Sequence, residues 1–189
     1  YHQVQVEEDA SIVRLEEGAS LDLGGIAKGY IADQVRALLL DRGVTSALID
    51  LGGNIYAVGD KEGQDWTIGV RDPKAALYDD EANALAARLP VRNSSVVTSG
   101  VYERGFRLDG VWYHHLLDPA TGYPARSGLL SVTIVSADSA LADGLSTACF
   151  VLGQEKGLEL IESLGGVEAL FIAEDGTLTA SSGLSYTEG

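Results

Sequence analysis

The apolar residues of this chain are grouped, and the grouping limits the fold more than any other feature. Stretches with the two-residue period of a half-buried strand lie at 4–6, 12–15, 46–51, 55–58 and 66–70. More follow at 94–98, 111–117, 129–135, 169–172 and 177–180. Helical periodicity is confined to four places. The first places Ile31, Val35, Leu38 and Leu39 on one face and stops at Gly43, and the second spans about 80–89 with Ala82, Leu85, Ala86 and Leu89. The third runs from an N-cap at Asp138 to about Leu152, and the fourth covers 156–164. Helices therefore fall between groups of strands instead of following each strand. That order predicts an α+β fold with mixed or antiparallel sheets flanked by helices, not a doubly wound one. No low-complexity linker divides the chain, so 1–189 reads as one domain.

Charge narrows the partners. With 13 Lys and Arg against 28 Asp and Glu, the net charge is −15. Such a surface repels phosphate backbones and anionic headgroups, which argues against nucleic acid as a partner. A polyanionic ligand would have to be held locally, by a metal ion or by backbone N–H groups. No eighteen-residue apolar run is present, so nothing reads as a membrane-spanning helix. The chain begins at Tyr1 and has no methionine, so it reads as a processed piece whose export signal or lipid anchor would lie upstream. The single cysteine, Cys149, excludes an internal disulfide and reads as a small core residue.

Four segments could carry chemistry. His114-His115-Leu116-Leu117-Asp118-Pro119-Ala120-Thr121-Gly122 places two of the three histidines at a strand end before a turn that proline and glycine hold rigid. An imidazole there suits proton transfer; the alternative is a solvated pair at a strand end. In Asp22-Leu23-Gly24-Gly25-Ile26-Ala27-Lys28-Gly29-Tyr30, two glycines before a helix start let an anion approach backbone N–H groups. The dinucleotide spacing is absent, and Tyr30 stands where a P-loop needs lysine. The alternative is a tight strand-to-helix turn with Lys28 solvated. Further on, Asp143 and Thr147 lie four apart on a helix and share a face; carboxylate and hydroxyl oxygens are hard donors suited to Mg²⁺. A hydrogen bond from Asp143 to a neighbouring turn would serve the carboxylate equally well. The stretch from Gly144 to Ala148 approaches a G-x-S-x-G elbow but sits inside helical periodicity, which rules it out. Thr98-Ser99-Gly100-Val101-Tyr102-Glu103-Arg104 reads as a strand end opening into a glycine turn.

Together these segments resemble the ApbE family, the FAD:protein FMN transferases. The matching blocks are LDLGGIAKGYIAD (21–33), ALIDLGGNIYAVG (47–59), VTSGVYERGF (97–106), HHLLDPATGYPA (114–125) and SADSALADGLSTACFVLG (136–153). The resemblance implies a T-fold-like α+β architecture. It also implies cleavage of the FAD pyrophosphate, attachment of FMN through its phosphate to a Ser or Thr hydroxyl of an acceptor flavoprotein, and release of AMP. Mg²⁺ would be held by Asp143, Thr147 and the backbone carbonyl of Ala27. His115 would be the general base, His114 the poorer match and merely solvated, and Asp118 a support for the turn and for the orientation of the histidine. FAD contacts would come from Gly24, Gly25, Lys28, Gly53, Asn54, Ser99, Gly100, Asp118 and Thr121.

The chain departs from the family pattern in two ways. Only about twenty residues precede the LDLGGIAKG block, where family members carry a longer portion, and dimerisation is an alternative cover for the apolar surface this leaves. Val101 stands where the family commonly has Asp, so one polar contact is lost. Two other activities share the same pocket: Mg²⁺-dependent FAD pyrophosphatase, and FAD binding without turnover. The resemblance also implies an extracytoplasmic, lipid-anchored parent protein.

Overall fold

The computed structural model describes residues 4–78 and 84–189. The chain opens with a hairpin, β1 (Val4–Glu7) and β2 (Ile12–Leu15), and enters α1 (Ala27–Asp41) through the glycine turn. Strands β3 (Ala47–Asp50), β4 (Asn54–Val58) and β5 (Trp66–Arg71) precede a short helix, α2 (Pro73–Tyr78). Next come β6 (Leu85–Val91), β7 (Ser94–Gly100), and a second hairpin of β8 (Gly105–Leu108) and β9 (Val111–His114). Strand β10 (Leu129–Ser136) leads into α3 (Ser139–Leu152) and α4 (Gln154–Ser163). The chain closes with β11 (Val167–Ala173), β12 (Leu178–Ala180) and β13 (Thr187–Glu188).

Six strands form the central sheet in the order β12-β11-β10-β7-β4-β3, and every neighbour pair in it is antiparallel. Alternation along these strands builds two cores. Val97, Val132, Ile134, Ala169 and Phe171 face α3 and α4, where they meet Phe150 and Ile161. Ala57, Val96, Leu170 and Ile172 face the other way and pack on Ile68, Val70, Ala87 and Leu89 of a small sheet ordered β13-β6-β5. The result is three layers: helices, a central sheet and a small sheet. Covering both faces explains why β10 reads Leu-Leu-Ser-Val-Thr-Ile-Val-Ser and is buried almost throughout. Each large side chain buried this way contributes roughly 1.5–3 kcal/mol. Helix α1 lies beside α3 and covers Ile49, Tyr56 and Val58 with Ala32, Val35 and Leu39.

The helix expected at 80–89 does not form over its second half. Residues 80–83 lie outside the described residues, and 85–89 belong to β6. The spacing of Leu85 and Leu89 suits a helix, but Ala87, Leu89 and Val91 also alternate, and it is these that are buried. Pro90, which would break a helix, sits exposed opposite Thr67, beyond the two residues of β6 that pair with β13. The strand expected at 111–117 ends at His114. Its partner β8 escaped the sequence reading, although Asp109-Gly110, both with positive φ (50° and 80°), is a strong two-residue hairpin signal. Strand β13 also carried no recognised signal. Asp138 caps α3 as expected, accepting from the Leu141 N–H at 2.8 Å. Cys149 is buried, and burial pushes its thiol up to about 11. No helix among the described residues is long and apolar enough to cross a membrane.

Candidate active site

The glycine turn is shaped by its own polar groups. Asp22 Oδ1 accepts from the Gly24 N–H at 2.7 Å, and the Leu23 carbonyl accepts from Ile26 and Ala27 as α1 begins. Along the helices that follow, contacts between α1 and α3 recur every four residues on both sides. An ideal Cβ at Gly25 would lie 3.8 Å from Thr147 Oγ1. One turn on, the Gly29 N–H donates to Asp143 Oδ2 at 2.9 Å. Another turn on, Asp33 accepts from the N–H groups of Ser139 and Ala140. Since four residues return a helix to the same face, the two helices run antiparallel with one face of each in contact. Gly29 permits the approach: a Cβ there would sit 2.2 Å from the Ser139 carbonyl oxygen.

Asp143 is 4% exposed. The hydrogen bond to a neighbouring turn forms, and it engages Oδ2. Thr147 is held by Ser99, whose hydroxyl lies 3.1 Å from Thr147 Oγ1 and 2.8 Å from Ser146 Oγ. Ser146 Oγ in turn donates to the Asp143 carbonyl at 2.8 Å. Among the described residues no three His, Cys, Asp or Glu side chains converge as a metal centre. One carboxylate oxygen, one hydroxyl and a first-turn carbonyl make a sparse, hard-oxygen set. That fits Mg²⁺, which takes one or two carboxylates and leaves its other positions to water and substrate phosphate.

Lys28 is half-buried and engaged. Its Nζ donates to the Gly52 carbonyl at 2.9 Å, bridging α1 to the Gly52-Gly53 turn, where φ of 70° and 80° requires glycine at both positions. Gly53 faces the same place: an ideal Cβ would lie 3.5 Å from Glu103 Oε1 and 3.8 Å from Lys28 Nζ. Asn54 is fully buried, its Oδ1 accepting from Ser139 Oγ at 3.0 Å while its Nδ2 has no partner. It therefore belongs to the interior that carries the turn and not to a ligand-facing surface. Gly100 lies under the Tyr102 ring, 2.5 Å from where a Cβ would stand. Val101 is buried in the core, so the polar group common in the family at this position has no counterpart here.

The two histidines separate because successive residues of a strand face opposite ways. His115 is exposed; its backbone N–H donates to the Arg104 carbonyl at 3.1 Å, and its ring Nδ1 lies 3.2 Å from the same oxygen. A carbonyl only accepts, so this bond puts a proton on Nδ1 and leaves Nε2 free to take one. His114, expected to be solvated, is half-buried edge-on against Phe150 at 5.6 Å, and the Leu116 N–H donates to its Nδ1. Asp118 supports its own turn, its Oδ1 accepting from Ala120 at 2.8 Å, and Thr121 Oγ1 accepts from the Tyr123 N–H. The His115 ring is thus held by the backbone carbonyl of Arg104, a residue the sequence placed in the glycine-turn segment without a role toward the histidine.

Burial lowers the His114 pKa below its ordinary 6.5, outweighing a backbone hydrogen bond at Ala125 that favours the charged form. Below that pH the unfolded chain takes up the proton more readily than the folded one. The contribution of His114 to stability is therefore complete above 6.5 and is lost as pH falls through 6.5 toward its folded pKa. Thermal unfolding between pH 7.5 and 5.5 is expected to show a steeper fall in Tm for the parent than for His114→Phe, and parallel curves would contradict this.

A cleft of about 640 Å³ lies beside β9, lined by Leu77, Val101, Trp112, His114, Tyr123 and Leu129 among others. None of the other residues singled out in the sequence lines it. The structure links Gly25 to Thr147, Gly29 to Asp143, Ser99 to Thr147 and Lys28 to the Gly52-Gly53 turn, through α1, β7 and α3. His115 is tied to the loop that follows β7 through the Arg104 carbonyl.

Comparison with known proteins agrees with this architecture. The sequence model of the ApbE family matches residues 1–171. The FAD:protein FMN transferase of Treponema pallidum is 47% identical over 178 residues, which cover 89% of this chain and 48% of that protein. The Klebsiella pneumoniae protein of the same name is 43% identical over 176 residues, 93% of this chain and 52% of that protein. The chain thus spans about half the length of the curated relatives it matches. Among solved structures, the ApbE protein of Thermotoga maritima superposes with a TM-score of 0.83 at 37% identity, covering 96% of this chain and 57% of that one. The flavin transferase ApbE of Vibrio cholerae gives 0.79 at 30% identity, with coverage of 96% and 56%. By sequence and by fold, the chain belongs to the ApbE family.

Proposed function

We propose that this chain carries the phosphoryl-transfer half of an FAD:protein FMN transferase. The observation that supports it best is the contact between the glycine turn and the Asp143/Thr147 face. It brings a carboxylate and a hydroxyl against the first turn of α1, with the Lys28 ammonium bound to the neighbouring Gly52 carbonyl, in a chain whose net charge is −15. A pyrophosphate needs such a local arrangement in so acidic a protein. Asp143 Oδ1, Thr147 Oγ1 and the Ala27 carbonyl would hold Mg²⁺, which offsets charge building on the leaving phosphate. Gly24 and Gly25 leave room for the phosphates to reach the turn, and Lys28 adds a positive charge beside Gly53. His115 takes the proton of the acceptor Ser or Thr hydroxyl at Nε2. A new oxygen–phosphorus bond forms to the FMN phosphate, the pyrophosphate bond breaks, and AMP departs.

The test is intact-mass spectrometry of a threonine-containing acceptor domain incubated with this chain, FAD and Mg²⁺, with EDTA as control. Metal-dependent addition of FMN is expected. AMP release without addition would make the chain a pyrophosphatase, and neither product would overturn the reading that these residues suffice. His115→Ala is expected to slow transfer about 10²–10⁴-fold with FAD affinity unchanged. Loss of FAD binding instead would contradict its role as base. On the family resemblance alone, we also propose that the acceptor is met outside the cytoplasmic membrane by a lipid-anchored parent protein.

A further inference from the structure

We propose that Asp33 is a positioning residue that sets the register of α1 against α3 and thereby the spacing of the candidate metal donors; this rests on the Asp143/Thr147 face being that site. Three contacts, spaced four residues apart along each segment, join α3 to α1 and the turn before it: Gly25 to Thr147, Gly29 to Asp143, and Asp33 to Ser139. The first is a van der Waals approach and the second a single hydrogen bond. The third is a carboxylate with both oxygens engaged, Oδ1 accepting from the Ser139 N–H at 3.1 Å and Oδ2 from the Ala140 N–H at 2.9 Å. Charge-assisted bonds of this kind are the stronger ones. A two-pronged contact also fixes rotation as well as distance, which a single bond does not.

The chemistry of the helix end supports the assignment. The first N–H groups of a helix lack partners within it and carry the positive end of its dipole. Asp138, the residue in the capping position, takes the Leu141 N–H. Asp33, from another helix, takes the two before it. This amino terminus is therefore closed to an anionic ligand by two carboxylates of the chain itself. One residue of slippage between the helices would displace them by about 1.5 Å, enough to part Gly29 from Asp143 and Gly25 from Thr147.

Titration of the chain with Mn²⁺, followed by the paramagnetic signal of the free ion, tests this in the parent, Asp33→Ala, Asp33→Asn and Asp138→Ala. Asp33→Ala should raise the dissociation constant about tenfold or more, the scale seen when a group supporting metal ligands is removed. Asp33→Asn, which keeps one acceptor oxygen, should fall between it and the parent. Asp138→Ala removes a cap from the same helix end without touching α1, so it should lower Tm but leave Mn²⁺ affinity unchanged. Hydrogen exchange at the Gly29 amide should quicken in Asp33→Ala and not in Asp138→Ala. Equal weakening in Asp33→Ala and Asp138→Ala would mean simple fraying of α3 and overturn the proposal. Parent-like binding by Asp33→Ala would overturn it while leaving the metal site standing. Absence of binding by the parent would bring down the metal site itself, and the proposal with it.

Discussion

Under the proposed function, Asp143→Asn is expected to reduce Mg²⁺-dependent FMN transfer about a thousandfold while leaving the fold intact. The asparagine oxygen can still accept the Gly29 N–H, now bonded at 2.9 Å, so the contact between α1 and α3 survives. What disappears is the charge and the free anionic oxygen, and a neutral amide is a poor substitute for Mg²⁺. A factor of a thousand corresponds to about 4 kcal/mol of transition-state stabilisation, within the several kcal/mol that a metal ion contributes to phosphoryl transfer. Asp143→Ala should lose the same activity and stability as well, because it strands a buried N–H at a cost of about 1–3 kcal/mol. Rates of FMN addition and thermal unfolding, measured on both variants, check the two halves separately. Parent-like transfer by either variant would place the metal elsewhere.

The largest effect on stability is expected from Gly29→Ala. The new methyl group would stand 2.2 Å from the Ser139 carbonyl oxygen, 2.7 Å from its carbon and 2.8 Å from the Ala140 Cα. All three are backbone atoms of the first turn of α3, so no side chain can rotate aside and the helices must part. Overpacking of this sort costs about 3 kcal/mol or more, which lowers Tm by roughly 6–12 °C in a protein of this size. Gly144→Ala is the matched control, since its Cβ would meet nothing nearer than Ile26 Cδ1 at 4.0 Å. Relief of the helical glycine penalty makes it neutral or stabilising by up to about 1 kcal/mol. A Gly29→Ala protein melting within about 2 °C of the parent would contradict the close approach.

Local features of the site were legible in the sequence. The cap at Asp138, the shared face of Asp143 and Thr147, and the turn before α1 follow from short-range rules about caps, helical spacing and glycine. Gly29 left a trace too, since a glycine in the third position of a helix carries a penalty that something must offset. Features that depend on a partner far along the chain were not legible. Nothing near Lys28 indicates that its ammonium bonds the Gly52 carbonyl, nothing near Asp33 that it caps another helix, and nothing near His115 that Arg104 orients it. His114 and His115 read alike until the strand's alternation meets Phe150 on one side only. The misread helix at 80–89 has the same origin: Leu85 and Leu89 satisfy both periods, and only pairing with β5 selects the strand.

The contacts between α1 and α3 also bear on when the site comes into being. Gly29 and Asp143 are 114 residues apart, and Asp33 and Ala140 are 107 apart. Contacts that close such long loops must overcome the chain's freedom before they add stability, so they form late in folding. During synthesis, α1 emerges with its glycine face uncovered and finds its partner only after four of the six central strands have been made. The candidate metal donors therefore come together as one of the last events of folding, and a partly folded chain offers no assembled half-site to capture a cation or a nucleotide.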